Sequence, residues 1–460
     1  MRAVLTAFSL IFATIFSAPA CAQRPPQPGL YAITDVTVVP MDSERLVPGQ
    51  TVVVRDGRIQ SIGPAASIAV PAGATRVDGR GRFLMPGLAE MHAHVPPNPN
   101  DAQWTEDVLF LYAANGITFA RSMLGAPHHL ELRAKAERGE IVSPRIYTSG
   151  PSLNGNSVSS PAVGRQMVAA AKAAGYDTLK IHPGLDRARY DAIAEAAKEH
   201  GITFGGHVPE AVGIERALEV GQATVDHLDG YLALLIRDGA TPPAEAGFFG
   251  YDWTDFVDEA KIPEAARRTR EAGVWNVPTD ALIHHLLLPE PSASEMEART
   301  ELRYVPKPML AQWIEARKEL QADPGYDADR ARRFVAIRGK LIKAMNDQGA
   351  GLLLGSDAPQ IFNVPGFSAH RELQYLVQAG LTPFEALATG TRNVARFIGT
   401  PQDFGTVEVG RRADLILLEA NPLQDVANAQ RRVGVMLNGR WLPEIELRAG
   451  LARIAGRYEQ

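Results

Sequence analysis

The chain has 460 residues, enough for one large or two smaller globular domains, and its 45% hydrophobic and 22% charged composition is ordinary for a globular protein. The formal net charge is -5 without a long single-sign run, so the sequence offers no basic patch of the kind a nucleic-acid surface needs.

Residues 1–22 have the three-part layout of a signal peptide: basic Met1-Arg2, an apolar run from Ala3 to Phe16, then small residues. Ala20-x-Ala22 puts cleavage before Gln23. The single cysteine, Cys21, leaves with that segment, so the mature chain needs no disulfide and suits an oxidising compartment. Export to the periplasm or the medium is therefore expected. The alternative is a lipoprotein anchored through Cys21, to which Ala18-Pro19-Ala20 is a poor match. The apolar run is short for a transmembrane helix and no later stretch would span a bilayer, so no transmembrane segment is expected in the mature chain.

A Pro-rich leader precedes short β-patterned runs at Tyr31 to Val39, Thr51 to Arg55 and Arg58 to Ile62, with Asp56-Gly57 as a hairpin turn. The C-terminal end looks alike. Thr406 to Val409, Ala413 to Leu418 and Val433 to Leu437 read as strands, and Asn438-Gly439 turns the chain into Arg440-Trp441-Leu442. Residues 23–82 and 400–460 are thus expected to build one composite β-sandwich domain from both chain ends.

Between them, residues 83–399 alternate strands and helices. The strand pattern falls at 83–95, 117–124, 145–151, 178–184, 202–208, 223–230, 274–280 and 351–357, with helices at 104–115, 163–174, 187–200 and 211–220 among others. Eight such α/β units predict a (β/α)8 TIM barrel with its site at the C-terminal strand ends. A doubly wound open sheet is the alternative, but no glycine-rich phosphate loop follows the first strand. Residues 281–350 form a long insertion with helices near 308–321 and 327–347, expected to cover the site or to build a homo-oligomer contact. Thr382-Pro383-Phe384-Glu385 opens the last barrel helix with a capping box and Pro at its first position.

Metal-binding residue types recur at the strand ends. Strand 1 carries His92-Ala93-His94, whose side chains share one face. Lys180, His207, His227 and Asp357 follow on strands 4, 5, 6 and 8. Four imidazoles can divide between two divalent cations, and Asp357 can ligate one of them and take a proton from an attacking water. An ammonium would be repelled there, whereas a neutral Lys180 can add carbon dioxide to form N6-carboxylysine, an anion with one oxygen for each metal. His182, Tyr231, His284, His285 and Arg121 are candidates for contacts to a substrate carboxylate or amide. His128, His129, His200 and His370 read as ordinary rim or surface polar residues.

With these residues in hand, the chain resembles the amidohydrolase superfamily. The carrying motifs are Pro86-Gly87-Leu88 before His92-x-His94, then Lys180, His207, His227, Asp357 and the closing Gly405 to Leu415. Leu179-Lys180-Ile181-His182-Pro183-Gly184 and His207 to Ile214 are most similar to the imidazolonepropionase-related group that includes Xaa-Pro and other Xaa-amino-acid dipeptidases. The resemblance implies two metal ions, zinc in that group, a carboxylated lysine at Lys180, and hydrolysis of an amide bond in a small-molecule substrate, a dipeptide or N-acyl amino acid. It implies His92, His94 and Asp357 on one metal, His207 and His227 on the other, Lys180 between them, and Asp357 as general acid/base toward a metal-bridging hydroxide. Pro209 and Leu228 depart from the group's usual pattern beside the ligands. The alternatives are a mononuclear cyclic-amide hydrolase or deaminase using His207-x-x-Glu210, and a non-catalytic binding protein on the same scaffold.

Overall fold

The computed structural model describes residues 29–459, so the expected signal peptide lies outside the described residues. The chain opens with β1 (Leu30–Val38), β2 (Val47–Arg55), β3 (Arg58–Pro64), β4 (Thr75–Asp78) and β5 (Phe83–Pro86). Eight parallel strands follow: β6 (Leu88–Ala93), β7 (Ile117–Ser122), β8 (Arg145–Thr148), β9 (Thr178–Ile181), β10 (Thr203–Gly206), β11 (Thr224–Asp226), β12 (Trp275–Val277) and β13 (Gly351–Leu352). The last three are β14 (Leu415–Leu418), β15 (Arg432–Leu437) and β16 (Arg440–Pro443).

Strands from both chain ends share one eight-stranded sheet, ordered β16-β15-β14-β5-β1-β2-β3 with β4 against β1. Its apolar side is filled from both ends, by Ile33, Val52, Val54 and Leu84 together with Leu415, Leu417 and Met436. Both expected hairpins form. Asp56 and Gly57 have φ 50 and 76, and Asn438 and Gly439 have φ 50 and 72, the pair of positive values a two-residue type I′ turn requires. Residues 444–458, read as the tail of the β domain, instead form a helix (Glu444–Tyr458). It lies along the helix Ala102–Ala114, where Arg457 and Tyr458 both reach Asp107.

The run expected as one strand over 83–95 is two strands in different sheets. β5 pairs with β14 in the β domain, and β6 pairs with β7 among the parallel strands. The break falls at Gly87, whose N–H donates to Asp414 O at 2.8 Å. A β-carbon there would lie 2.2 Å from the Thr118 side chain, so only glycine lets the two layers approach this closely.

The parallel strands form a three-stranded sheet, β6-β7-β8, and a five-stranded one, β9 to β13. Parallel bridges cross both seams, Ser149 to Thr178 and Ala93 to Ala358. The intervening helices match the expected ones and stop where their caps dictate. Pro161–Ala174 is capped by Ser160 and ends at left-handed Gly175. Arg187–His200 is capped by Asp186 and ends at left-handed Gly201. The capping box of Thr382 and Glu385 is formed. The helix expected over 211–220 starts only at Ile214, because Glu210 to Val212 make a turn. In the insertion, helices fall at Lys307–Ala322 and Ala328–Gln348. The second is part of the layer around the strands, packed beside Ile262–Ala272 and burying Phe334, Ile337, Leu341 and Ile342. Among the described residues, no helix is long and apolar enough to cross a membrane.

Two histidines expected at the rim or surface, His129 and His370, are instead buried within this layer because one ring nitrogen of each finds a backbone carbonyl there. His129 Nε2 lies 3.0 Å from Pro96 O, and His370 Nε2 lies 2.9 Å from Asn115 O. Burial lowers both from 6.5 to about 4. The unfolded chain therefore binds more protons between these values, and stability is lost as pH falls from about 6.5 toward 4. For His370 this amounts to about 3 kcal/mol at ~1.4 kcal/mol per pH unit. We expect the stability of His370→Gln, measured by urea unfolding across that range, to depend less steeply on pH than the wild type; an unchanged slope would contradict this.

Candidate metal centre

The parallel strands are shorter than their sequence pattern. β10 ends at Gly206, β11 at Asp226 and β13 at Leu352. His207 and His227 are the next residues, and Asp357 follows five positions after β13, so these side chains stand where the backbone leaves the ladder. The backbone there is unusual: His227, Leu228, Thr279 and Asp357 have φ 63, 56, 53 and 64. Non-glycine residues in this region cost on the order of 1–3 kcal/mol each and cluster at functional sites. Gly206, at φ +115, admits the lysine below it, since a β-carbon there would come within 2.6 Å of Lys180 Cδ.

The fold brings the six expected ligand residues together. His94 Nε2 is 3.1 Å from Asp357 Oδ1 and His92 Nε2 is 3.6 Å from the same atom. Lys180 Nζ is 2.9 Å from His92 Nε2. The His227 ring lies 4.5 Å from that of His92 and 4.5 Å from that of His207. One ligand atom each from His92, His94 and Asp357 falls within 4.8 Å of the others. Two of these atoms, His94 Nε2 and Asp357 Oδ1, are buried without an aligned hydrogen-bond partner among the described residues. Leaving such atoms bare costs about 1–3 kcal/mol each, and a cation between them would remove the cost, so the residues fit a metal ion.

The protonation states agree with that use. Burial, reinforced by Lys180, holds His92 well below the usual imidazole range and His94 at about 3. Burial, with neighbouring His207 and His92, does the same for His227. Neutral imidazole is the form that binds metal. Burial also lowers Lys180 and raises Asp357, each opposed by the other's charge.

A surrounding shell, not anticipated from the sequence, orients these groups. His207 Nδ1 donates to Asp229 Oδ2 at 2.7 Å, and His227 Nδ1 faces Thr279 Oγ1 at 2.8 Å. His92 Nδ1 sits 2.8 Å from Asp226 Oδ2, off the line of a hydrogen bond. Asp229 and Thr279 each take the Nδ1 of their imidazole, while His92 keeps its Nε2 toward Lys180 and Asp357. The signal was present in Asp226-His227-Leu228-Asp229, which places a carboxylate on either side of a ligand. Glu90 accepts from Ser356 N and Ser356 Oγ at 2.7 Å each and from His92 N at 3.2 Å, fastening the ends of the first and last parallel strands. Burial raises its carboxyl to about 8. From the insertion, fully buried Arg338 donates to His227 O at 2.7 Å, to Pro278 O at 2.8 Å and to Asp280 Oδ1 at 2.6 Å.

Most of the expected substrate contacts are elsewhere. Arg121 is buried beneath the ligands, bound to Met91 O, Thr224 Oγ1 and Asp226, so it supports the site from below. Tyr231 is fully buried with its hydroxyl 3.0 Å from Thr269 Oγ1. His285 is buried against Arg299, and His284 stacks on Tyr375 in a separate cavity beside Arg332 and Lys340. These histidines lie on the helix Asp280–Leu287, whose turn carries them away from the strand ends. His182 alone stays near the ligands, its ring 5.2 Å from that of His207 and its Nδ1 bonded to Ser152 Oγ.

Comparison with known proteins agrees with this architecture. The family model described as Amidohydrolase family matches residues 83–442. An imidazolonepropionase of Symbiobacterium thermophilum is 27% identical over 82% of this chain and 85% of its own. Adenine deaminase 3 of Rhizobium meliloti is 23% identical over 84% of this chain, which spans about half of that protein's length (54%). The crystal structure of a putative prolidase from Bifidobacterium longum superposes with a TM-score of 0.68 at 23% identity, covering 93% of this chain and 100% of its own.

The orienting role of Asp229 is open to measurement. Asp229→Ala is expected to weaken binding of a divalent cation, with zinc as the probe, about 10–100-fold, measured by competition with a chelator. Unchanged affinity would contradict the role assigned to the His207–Asp229 pair.

Proposed function

The chain belongs to the amidohydrolase family, and from that premise we propose that it is a metal-dependent hydrolase cleaving an amide C–N bond in a dipeptide or N-acyl amino acid. The observation that carries this reading is the pair of bare buried atoms, His94 Nε2 and Asp357 Oδ1, inside the converging ligand cluster. In this reading the eight parallel strands close into one barrel, supported by the bridges at both seams, and the shared sheet folds as a composite β-sandwich.

His92, His94 and Asp357 would hold one divalent cation, and His207 and His227 a second, zinc in both cases. Cations held there supply Lewis acidity, which favours deprotonation of water near neutral pH and polarises a carbonyl. Lys180, whose Nζ is 2.9 Å from His92 Nε2, would lie between the two sets of ligands, and its burial favours the neutral amine that can add carbon dioxide. Loss of a proton from that adduct leaves an anionic carbamate with two oxygens, which replaces a repelled ammonium by a ligand. Asp357 accepts the proton of the attacking water and passes it to the leaving nitrogen. Asp229, Asp226 and Thr279 keep the imidazoles in the ring orientation this requires. The N-terminal segment makes export part of the proposal, and a homo-oligomer remains its expected assembly.

A one-metal cyclic-amide hydrolase or deaminase is the second reading. It is favoured by the finding that His92, His94 and Asp357 form the one three-residue ligand cluster among the described residues, and by the relatives named above. Against the deaminase form, Glu210 is an exposed turn residue whose Oε1 accepts from Ala246 N at 3.2 Å, away from the duty of a proton shuttle.

A library of dipeptides and N-acyl amino acids, assayed with zinc and bicarbonate, is expected to yield amide hydrolysis that a chelator abolishes. Asp357→Asn should lower kcat by about 10²–10⁴-fold, the usual span for a general acid/base. Lys180→Ala should nearly abolish turnover in the bridged site and spare it in the one-metal site. Full activity in Lys180→Ala would overturn the first reading.

A further inference from the structure

The imidazole of His207 forms one wall of a cavity of about 490 Å³ at the ends of β10 and β11. The other walls are mainly apolar, with Val208, Ile214, Leu232, Phe248, Phe249 and Trp253 prominent. Besides His207, the ionisable side chains that line it are both acids, Glu210 and Asp229; no lysine or arginine does so. Both acids are already engaged, Asp229 by His207 Nδ1 and Glu210 by Ala246 N.

The aromatic wall is built for its place. Phe248 and Phe249 come from the segment Phe248–Phe256, where Phe249 (φ 53, ψ 26) and Gly250 (φ 94, ψ 8) interrupt the helical path. A phenylalanine in the left-handed region is a sterically disfavoured choice. The result is a Phe249 ring parallel to that of His207, 6.1 Å away with 6° between planes, and 5.0 Å from the ring of His227. Phe248 packs against it at 4.2 Å. Trp253 spends its one polar atom on Pro243 O at 2.8 Å, so its ring meets the cavity as apolar surface.

We propose that this cavity is the specificity pocket of the enzyme and that it takes an uncharged aromatic or bulky apolar group of the amide substrate while rejecting a carboxylate. The inference deepens the amide-hydrolase reading and rests on it. A ring entering the cavity exchanges water for aromatic and aliphatic carbon. A carboxylate there would lose its hydration, find no lysine or arginine on the walls to pair with, and face two acids. In a dipeptide or N-acyl amino acid, the side chain therefore occupies this pocket and the carboxylate is directed elsewhere or is absent.

The test uses small secondary amides that differ only at one terminus, methyl, para-methylphenyl or para-carboxyphenyl, placed on either the acyl or the amine side. With the zinc-loaded full chain, kcat/KM for the para-methylphenyl amide should exceed that for the other two about ten- to a hundred-fold, as expected for burying one large apolar group. Phe249→Ala and Trp253→Ala should shrink the para-methylphenyl over methyl preference about ten-fold, whereas a merely structural lesion would lower both substrates alike. Ala233→Arg, at an exposed position on the cavity wall, should shift preference toward the para-carboxyphenyl amide. Calorimetric binding of the same amides separates the two claims. If none is hydrolysed but binding keeps this order, the pocket stands and the amide-hydrolase reading falls. Equal binding or turnover of the para-carboxyphenyl and para-methylphenyl amides, or equal losses in Phe249→Ala, would overturn the pocket.

Discussion

Buried polar atoms need partners, and at the ends of the parallel strands some of the most enclosed ones lack them. His94 Nε2 and Asp357 Oδ1 sit 3.1 Å apart without an aligned hydrogen bond, beside a buried lysine and further buried imidazoles. In an interior of low dielectric such a cluster is unfavourable unless a cation draws its lone pairs together. Much of the surrounding structure serves to keep it in place. Glu90 spans from His92 to Ser356 and so couples the first ligand strand to the last. Arg121 anchors Asp226 from below, and Arg338 anchors the carbonyl of His227 from outside the strands.

The energetic cost of this arrangement is distributed through the backbone as well. Positive φ values at His227, Leu228, Thr279 and Asp357 coincide with the points where the strands stop pairing and the ligands begin. A regular strand would alternate its side chains between its two faces, so neighbouring functional residues such as Asp226, His227 and Asp229 could not all serve one site. Asp226 reaches His92 from the last paired position of its strand, and leaving the ladder there lets His227 reach the centre and Asp229 reach His207 within the next three residues. The tight fit of Gly206 above Lys180 and of Gly87 against Thr118 belongs to the same demand for close approach.

Much of this was legible in the sequence, because ligand types at strand ends and turn dipeptides are local signals. His92, His94, Lys180, His207, His227 and Asp357 were identifiable from residue type and order, and both hairpins from Asp56-Gly57 and Asn438-Gly439. What could not be read depended on tertiary direction. Tyr231, Arg121 and His284 are polar residues close in sequence to the site, yet local helix geometry or burial turns each toward the scaffold. Arg338 and Phe249 were invisible for the opposite reason: they arrive from segments distant in sequence, and Phe249 does so through a backbone conformation that no propensity favours. The division of 83–95 into two sheets hinged on the contact of Gly87 with Thr118, which has no local signature.

The central claim is that the bare ligand atoms exist to hold metal in a paired site with Lys180 between the two halves. Elemental analysis of the full chain, equilibrated with zinc and bicarbonate and then dialysed, tests it most directly. A pair of tightly held zinc ions per chain is expected, with one or both lost in Lys180→Met. A wild-type chain that retains no zinc under these conditions would contradict it.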